Sequence, residues 1–290
     1  MSEFVDYRSE FQEYEKNFPM QEMQLKNGPF RYILAGPANA KHTLVFLNGG
    51  MNSNEMWLRY VKDLSKDYRV LSFDYPMMYG TDASLLDGMH ELFGKLSVYR
   101  VVLVGASMGG IIAQLYAQRH PQDVEGLCLM STAGLTSGAM KKFGKLLGLL
   151  TIVIGLMKIC PYSWFIRGEK KQCANYVAEA DDDAKAYFQD MFDHIYDSYT
   201  KEMDIHVTKL MRDFKNQSVC SKKDFTFLAG KVLLLLPEDD SAFPPELQQE
   251  LIEEMTDPTV IPGIKGGHLT TMLHDKDNVG YIRKFLEENL

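Results

Sequence analysis

The sequence predicts an α/β fold, in which a mostly parallel sheet is covered by helices on both faces. Short apolar runs recur along the chain, and several are apolar at nearly every position, as is typical of parallel strands buried on both faces. Helical stretches lie between the runs, and this alternation is typical of a parallel sheet wound with helices. The strand-like runs are residues 42–47, 68–73, 99–104, 124–130, 231–236 and 258–262.

The first 35 residues precede this alternation. Five aromatic residues repeat there with spacings of three and four: Phe4, Tyr7, Phe11, Tyr14 and Phe18. The spacing predicts a helix with one aromatic face. That face either packs on the body of the protein or contacts a second subunit or a ligand, and the oligomeric state stays open. Residues 23–34 alternate around Asn27-Gly28, which predicts a β-hairpin.

Helices are predicted between the early strands, over residues 55–66, 85–96 and 110–120, the last ending before Pro121. The strand–helix alternation then stops, because residues 136–223 have helical spacing and no convincing strand. We interpret this stretch as a helical insertion.

The chain therefore divides into a core, residues 1–135 and 224–290, and a helical cap, residues 136–223. The longest uncharged apolar run of the cap, residues 146–157, is shorter than the about 20 residues that span a bilayer. It predicts a buried or lid helix, with docking on a membrane surface as the alternative, and no stable membrane insertion.

Composition limits the function classes. The chain has 290 residues, 46% of them hydrophobic and 24% charged, which is typical of a globular protein. Its net charge of −8 and its lack of a long basic run argue against a nucleic-acid partner. Four scattered cysteines form no Cys-x-x-Cys motif and no Cys/His cluster, so no zinc site is predicted. The N-terminus lacks the pattern of a signal peptide, which predicts a cytoplasmic protein.

A candidate nucleophile follows the most apolar strand. Residues 101–104 lead into Gly105-Ala-Ser107-Met-Gly109, and a helix follows at once. A serine hydroxyl attacks when a sharp strand-to-helix turn holds it beside a base. Glycines two residues to either side relieve crowding at such a turn. This context makes Ser107 the predicted nucleophile.

A serine nucleophile needs a base, and His268 is the best placed of the seven histidines. It follows a strand-like run, lies in a Gly266-Gly267-His268 loop, and comes last in the order Ser, acid, His that this nucleophile turn predicts. His274, six residues later, is the weaker candidate. The imidazole needs a carboxylate to orient it, and the acidic loop after residues 231–236 offers two candidates, Asp239 and Asp240.

Hydrolysis through a tetrahedral intermediate also needs two donors that face its oxyanion. The backbone N–H of Met108 follows the candidate nucleophile and opens a helix. The loop Asn48-Gly49-Gly50-Met51 follows an early strand, and its glycines keep the backbone accessible. The N–H groups of Gly50 and Met108 are the predicted oxyanion hole.

Together these residues resemble the α/β-hydrolase superfamily over nearly the whole chain. The resemblance rests on the Asn48-Gly49-Gly50 loop with Trp57 downstream, Asp74 after the next strand, Gly105 to Gly109, Asp240, and Gly267-His268. It implies an eight-stranded, mostly parallel sheet with a helical cap over the site. It also implies Asp240 rather than Asp239 as the acid, because Asp240 lies three residues after Pro237 and four before Pro244.

The sequence departs from the family pattern without losing a catalytic group: Asn48 stands for the usual His, Ala106 for another His, Pro237 for a Gly, and Tyr75 to Gly80 for a Gly-x-Gly turn. The resemblance implies hydrolysis of an ester, thioester or similar bond without a metal or cofactor. Carbon–carbon bond hydrolysis or acyl transfer, and a binding protein that has lost turnover, are the alternatives.

Apolar cap residues predict a small apolar, ester-like substrate whose acyl or aryl group they line. Each of these residues either lines this pocket or only holds the cap together: 146–157, Tyr162, Trp164, Phe165, Phe188, Met191 and Phe192.

Overall fold

A computed structural model describes residues 4–290, so the first three residues of the predicted core segment lie outside the described part. At its centre is one eight-stranded sheet, in the order β1-β2-β4-β3-β5-β6-β7-β8. The strands are β1 Gln21–Leu25, β2 Gly28–Ala35, β3 Thr43–Leu47, β4 Arg69–Phe73, β5 Val101–Ala106, β6 Val124–Met130, β7 Val232–Leu235 and β8 Thr259–Val260. Strand β2 is antiparallel to β1 and β4, and the remaining pairs are parallel. The predicted fold class is confirmed.

Eleven α-helices accompany the sheet in residues 4–290. They are α1 Tyr7–Asn17, α2 Leu58–Leu64, α3 Asp82–Lys95, α4 Met108–Arg119, α5 Ser137–Ile159, α6 Tyr162–Tyr176, α7 Asp182–Ser198, α8 Lys201–Asp213, α9 Pro245–Glu254, α10 Thr270–Leu273 and α11 Asp275–Asn289. The helix predicted over residues 55–66 is split into a 3₁₀ turn, Asn54–Trp57, and α2.

The central strands are buried on both faces, as their apolar sequences predict. Every residue of β5 and β7 is buried, as are the last four residues of β3. Burying each Leu or Val side chain contributes about 1.5–3 kcal/mol, so this layer dominates the stability of the core. Its rigidity matters for the site, because β3 and β5 end beside the candidate catalytic residues.

Helix α1 packs on the body of the protein through its aromatic face. Asp6 caps its start by accepting hydrogen bonds from the N–H groups of Arg8 and Ser9. Tyr7 is buried, and its ring centroid lies 5.5 Å from that of Tyr187 in α7. The predicted aromatic helix is present, but of the five aromatic residues it contains Tyr7, Phe11 and Tyr14, because Phe4 precedes it and Phe18 follows its last residue.

The predicted hairpin is present, but its turn is displaced by one residue. Leu25 pairs with Gly28, so Lys26 and Asn27 form the two-residue loop and Gly28 begins β2. Gly28 has a φ of 134°, and a Cβ there would collide with the side chain of Met78. The positive φ favours glycine at this position, and the flexible Met78 side chain packs close against it.

Four helices, α5 to α8, and short 3₁₀ turns occupy the chain between β6 and β7, where a helical insertion is predicted. Helix α5 packs against α8, yet in α5 only Ala139, Ile154 and Met157 are buried. Of the two forms predicted for residues 146–157, a buried helix is wrong, because one side of this run faces outward, and a lid helix stays a prediction. Within residues 4–290 we find no helix with the length and apolar character needed to cross a membrane.

Candidate active site

Ser107 lies at the turn between β5 and α4, in a conformation that few residues other than glycine adopt. Its φ and ψ are 53° and −121°. Two hydrogen bonds hold this turn: the Ser107 N–H donates to the Met130 carbonyl at 3.0 Å, and the Thr132 hydroxyl donates to the Ser107 carbonyl at 2.7 Å. The neighbouring strand thus fixes the position of the candidate nucleophile.

The glycines around Ser107 are required by close backbone packing. A Cβ on Gly105 would overlap the backbone of Gly109, and a Cβ on Gly109 would overlap the Leu47 carbonyl of β3. Both overlaps are well inside van der Waals contact and involve backbone atoms that cannot rotate away. The Gly-x-Ser-x-Gly spacing is therefore what allows α4 to begin directly against the sheet.

Replacing Gly109 by alanine is expected to lower the free energy of unfolding by about 3 kcal/mol, the cost of overpacking a rigid site. The matched control is Gly94→Ala in α3, where a Cβ meets nothing within 4 Å. This control is expected to stabilise the protein by about 0.5–1 kcal/mol, because alanine favours a helix. Urea unfolding of both variants measures the difference, and equal midpoints would contradict the steric argument.

His268 joins Ser107 to Asp240 in a hydrogen-bonded chain. Its Nε2 lies 3.0 Å from the Ser107 Oγ, and its Nδ1 lies 3.0 Å from Asp240 Oδ2 and 3.2 Å from Oδ1. The rings of Tyr176 and Phe243 pack against the imidazole, and the centroid of each lies 5.5 Å from the imidazole centroid. The structure thus brings together three predicted side chains that are 28 and 161 residues apart in sequence.

The two neighbouring aspartates have different partners. Asp240 is 3% exposed and contacts His268, whereas the Asp239 carboxylate accepts hydrogen bonds from the N–H groups of Gly266 and Gly267, at 3.2 and 3.1 Å. Partial burial raises the pKa of Asp239, but these N–H groups outweigh it and hold that pKa below its usual value. Asp239 therefore ties down the loop that carries His268, a role that the sequence analysis missed.

The two predicted oxyanion donors belong to segments that adjoin Ser107. Gly49 approaches Ser107 so closely that a Cβ on it would be 3.5 Å from the serine Cβ, and Gly50 follows, exposed to the adjoining cavity. Met108 is the first residue of α4, where N–H groups have no acceptor within the helix. The assignment of these two N–H groups to an oxyanion stays a prediction.

A buried polar network holds the loop of Gly50 in place. The Asn48 side chain accepts a hydrogen bond from Trp57 Nε1 at 3.0 Å and donates to Asp74 Oδ1 at 3.1 Å. Burial raises the pKa of Asp74 to about 6, although hydrogen bonds from the Asn54 N–H and from the Asn48 side chain act to lower it. The sequence contains these residues as separate signals, but only the fold shows that they form one network.

A cavity of about 160 Å³ lies beside Ser107, and α6 covers it. Its lining combines apolar and polar side chains: Met51, Met56, Cys173, Tyr176, Tyr196, Leu269 and Met272, with Glu169, Gln172 and Thr271. Burial raises the pKa of Glu169, which accepts a hydrogen bond from the Tyr196 hydroxyl. Tyr176 and His268 separate this cavity from a more polar one of about 580 Å³.

The prediction that the apolar cap residues line the pocket beside Ser107 is wrong. None of the residues 146–157, Tyr162, Trp164, Phe165, Phe188, Met191 or Phe192 lines this cavity. The physical reason is the direction of the helix faces: α7 turns Phe188 and Phe192 into the protein, where the Phe188 ring contacts Phe4, and α5 turns much of its apolar surface outward. Instead, α6 lines the cavity with the face formed by residues 169, 172, 173 and 176. Its helical spacing is visible in the sequence.

One cluster in residues 4–290 combines ligand types that suit a metal. His90, His120 and Asp123 hold their ligand atoms within 4.8 Å of one another, away from the cavity beside Ser107. The two imidazoles stack at 4.3 Å and 6°, and His90 Nδ1 lies 2.8 Å from Asp123. Stacked parallel rings do not direct their in-plane lone pairs to one point, so we assign no ion to this cluster.

A mostly parallel sheet with a serine at the turn between β5 and α4, facing an imidazole from a loop near the C-terminus, defines the class of α/β hydrolases. A family model described as the alpha/beta hydrolase family matches residues 44–279, which is most of the chain. The chain belongs to the alpha/beta hydrolase family and is a hydrolase.

Curated relatives give a more specific but shorter likeness. A monoacylglycerol lipase of Xenopus laevis is 33% identical over 130 residues, which are 41% of this chain and 39% of that protein. A monoacylglycerol lipase of Homo sapiens is 34% identical over 125 residues, 39% of this chain and 37% of its own length. The match thus spans less than half of these relatives. A proline iminopeptidase of Pestalotiopsis fici is 23% identical over 92% of this chain and 99% of its own length.

Solved structures share the fold at lower identity. A hydrolase from Pseudomonas aeruginosa has a TM-score of 0.73 and 19% identity, covering 92% of this chain and 98% of its own. An enol-lactonase from Burkholderia xenovorans has a TM-score of 0.70 and 18% identity, covering 92% of this chain and 100% of its own. At this identity the likeness supports the fold alone.

Proposed function

We propose that this hydrolase cleaves a carboxylic ester or thioester with Ser107 as nucleophile, His268 as base and Asp240 as the acid that orients the base. The observation that carries the proposal is the 3.0 Å separation of Ser107 Oγ and His268 Nε2, on an imidazole whose other nitrogen contacts a buried carboxylate. Such an arrangement supports the transfer of a hydroxyl proton as the oxygen attacks.

In the proposed reaction, Ser107 Oγ attacks the carbonyl carbon and His268 Nε2 takes the hydroxyl proton. The N–H groups of Gly50 and Met108 bind the oxyanion, each contributing about 2.7–4 kcal/mol to barrier lowering. His268 then gives the proton to the leaving alcohol or thiol, and an acyl-enzyme forms. Water, activated by the same imidazole, releases the acid and restores Ser107.

The proposed substrate carries an apolar acyl group of modest size. Met51, Met56 and Met272 form an adaptable apolar wall beside Ser107, and the cavity of about 160 Å³ limits what fits without movement. The relatives named as monoacylglycerol lipases support an ester of an apolar acid. Residues 136–223 act as the proposed cap, with α6 as the part that covers the site.

Covalent labelling tests the assignment of the nucleophile. A fluorophosphonate probe is expected to modify Ser107, identified by peptide mass spectrometry, and to leave Ser107→Ala unlabelled, because only an activated hydroxyl reacts. In parallel, a p-nitrophenyl ester, an acyl thioester and a β-diketone are compared as substrates. Labelling at another residue would overturn the site, and faster turnover of the diketone would overturn the ester or thioester as substrate.

Tyr176 is expected to limit the length of the acyl group, because its ring stands between the two cavities. Tyr176→Ala should raise the ratio of kcat/KM for a decanoyl ester to that for a butyryl ester by about tenfold or more, since about tenfold is the low end of the effect of one methylene group in an apolar pocket. The control is Lys171→Ala, an exposed residue of α6 that lines neither cavity. An unchanged ratio in Tyr176→Ala would refute this role.

A further inference from the structure

Large exposed apolar side chains are concentrated on α5 and the start of α6. Of the 13 such side chains in residues 4–290, six lie between residues 146 and 164: Leu146, Leu149, Ile152, Leu156, Ile159 and Trp164. Single exposed apolar residues are normal on proteins, but a contiguous set marks an interaction surface. We name this set, with the basic residues described next, the α5–α6 patch.

The patch is basic in an acidic protein. Residues 137–168 carry five basic side chains and no acidic one, whereas the whole chain has 31 basic and 39 acidic side chains. The five are Lys141, Lys142, Lys145, Lys158 and Arg167, and all are exposed. Only Lys142 makes an ion pair in the described structure, with Glu250 at 3.5 Å. The patch therefore presents an apolar surface with an excess of positive charge.

The charges and the apolar side chains share one face of α5. Lys141, Lys145, Leu149, Ile152, Leu156 and Ile159 follow one another at spacings of three and four. At 1.5 Å per residue this stripe is about 27 Å long. An exposed apolar stripe with Lys at one end and no acid is suited to a membrane interface, where buried apolar area and attraction to anionic lipids both strengthen binding. Trp164, 65% exposed at the start of α6, suits the same boundary.

The positive charge of the α5–α6 patch indicates which kind of partner it binds. A second copy docked symmetrically would place two basic patches against each other, with no acid in either to compensate. An anionic lipid surface offers both an apolar interior and negative head groups. Attraction to the head groups contributes about 1 kcal/mol of binding free energy for each basic side chain near the surface. We propose that the α5–α6 patch docks this enzyme on an anionic lipid bilayer.

The docked orientation bears on the catalytic cavity. Helix α6 begins in the patch at Tyr162 and Trp164, and two to four turns later its residues 169–176 cover Ser107. Docking therefore places the cover of the cavity near the lipid surface, where apolar esters reside. Binding itself depends on the patch and on neither the reaction nor Ser107.

Sedimentation with vesicles tests the proposal. The full chain is expected to co-sediment with vesicles of phosphatidylglycerol and phosphatidylcholine, more weakly with phosphatidylcholine alone, and less as salt rises. Lys141→Glu with Lys145→Glu should lower binding to the anionic vesicles by about tenfold or more. Leu149→Gln with Ile152→Gln should lower it on both vesicle types, because apolar area drives insertion into the interface.

Matched controls change charge and apolarity elsewhere. Lys26→Glu with Lys41→Glu, in the hairpin turn and the loop before β3, changes the net charge by the same amount as the two Lys substitutions in the patch. Tyr99→Gln with Val219→Gln removes exposed apolar side chains outside the patch. Both controls should bind as the parent does, and thermal melts verify folding.

Three outcomes would overturn the proposal: no binding to anionic vesicles, equal losses in the patch and control variants, or a dimer in sedimentation velocity that the Leu149 and Ile152 substitutions dissociate. Ser107→Ala should still bind, so failure of the proposed reaction and failure of docking are separable.

Discussion

Ser107→Ala is expected to reduce kcat/KM for ester hydrolysis by about 10⁵-fold, because in residues 4–290 no other hydroxyl makes a hydrogen bond with His268. The loss should appear in kcat, since the serine oxygen forms its bond in the transition state and does little to bind the ester. Hydrolysis of a p-nitrophenyl butyrate series, with burst-phase kinetics for the parent enzyme, measures both parameters.

The double variant makes this test specific to a nucleophile and its base. Ser107 and His268 act on one proton, so Ser107→Ala with His268→Ala should be no slower than either single variant. A thermal melt close to that of the parent shows that the fold survives. If Ser107→Ala keeps a tenth or more of the parent activity, or if the two losses multiply, the proposed chemistry is wrong.

The fold and the candidate site differ in how far the sequence predicts them. Strand positions follow from local apolar runs, and the structure places six of the eight strands within about two residues of those runs. Ser107 is found equally well, because its glycines, strand and helix are adjacent in sequence. Local patterns suffice where neighbours in sequence are also neighbours in space.

Side-chain direction across the insertion could not be predicted in the same way. An apolar run such as residues 146–157 indicates a helix but not which partner covers each face. The structure shows α5 packing on α8 and exposing Leu149 and Ile152, while the less apolar α6 covers Ser107. The partner of each face is set by the packing of the whole insertion, so the pocket lining was predicted wrongly.

The two neighbouring aspartates are the clearest case of information that appears only on folding. In sequence, Asp239 and Asp240 share a loop and differ by one position. In the structure, one carboxylate binds backbone N–H groups of the loop of His268, and the other contacts the imidazole. Successive residues point in different directions, so a shift of one residue exchanges a positioning role for a proposed catalytic one.

Asp240→Asn is therefore expected to lower kcat by about 10³–10⁴-fold, since an amide cannot stabilise the imidazolium and can donate to Nδ1, which favours the wrong tautomer. Asp239→Asn is the matched control: it removes the same charge one residue away and weakens only the hydrogen bonds to Gly266 and Gly267. Its expected loss is about tenfold or less, as for a hydrogen bond that orients a loop. Measured with the same ester, the two variants should differ by at least about a hundredfold. Equal losses would mean that the total charge of the loop matters and the position of each carboxylate does not. A larger loss in Asp239→Asn would assign the role of the acid to Asp239.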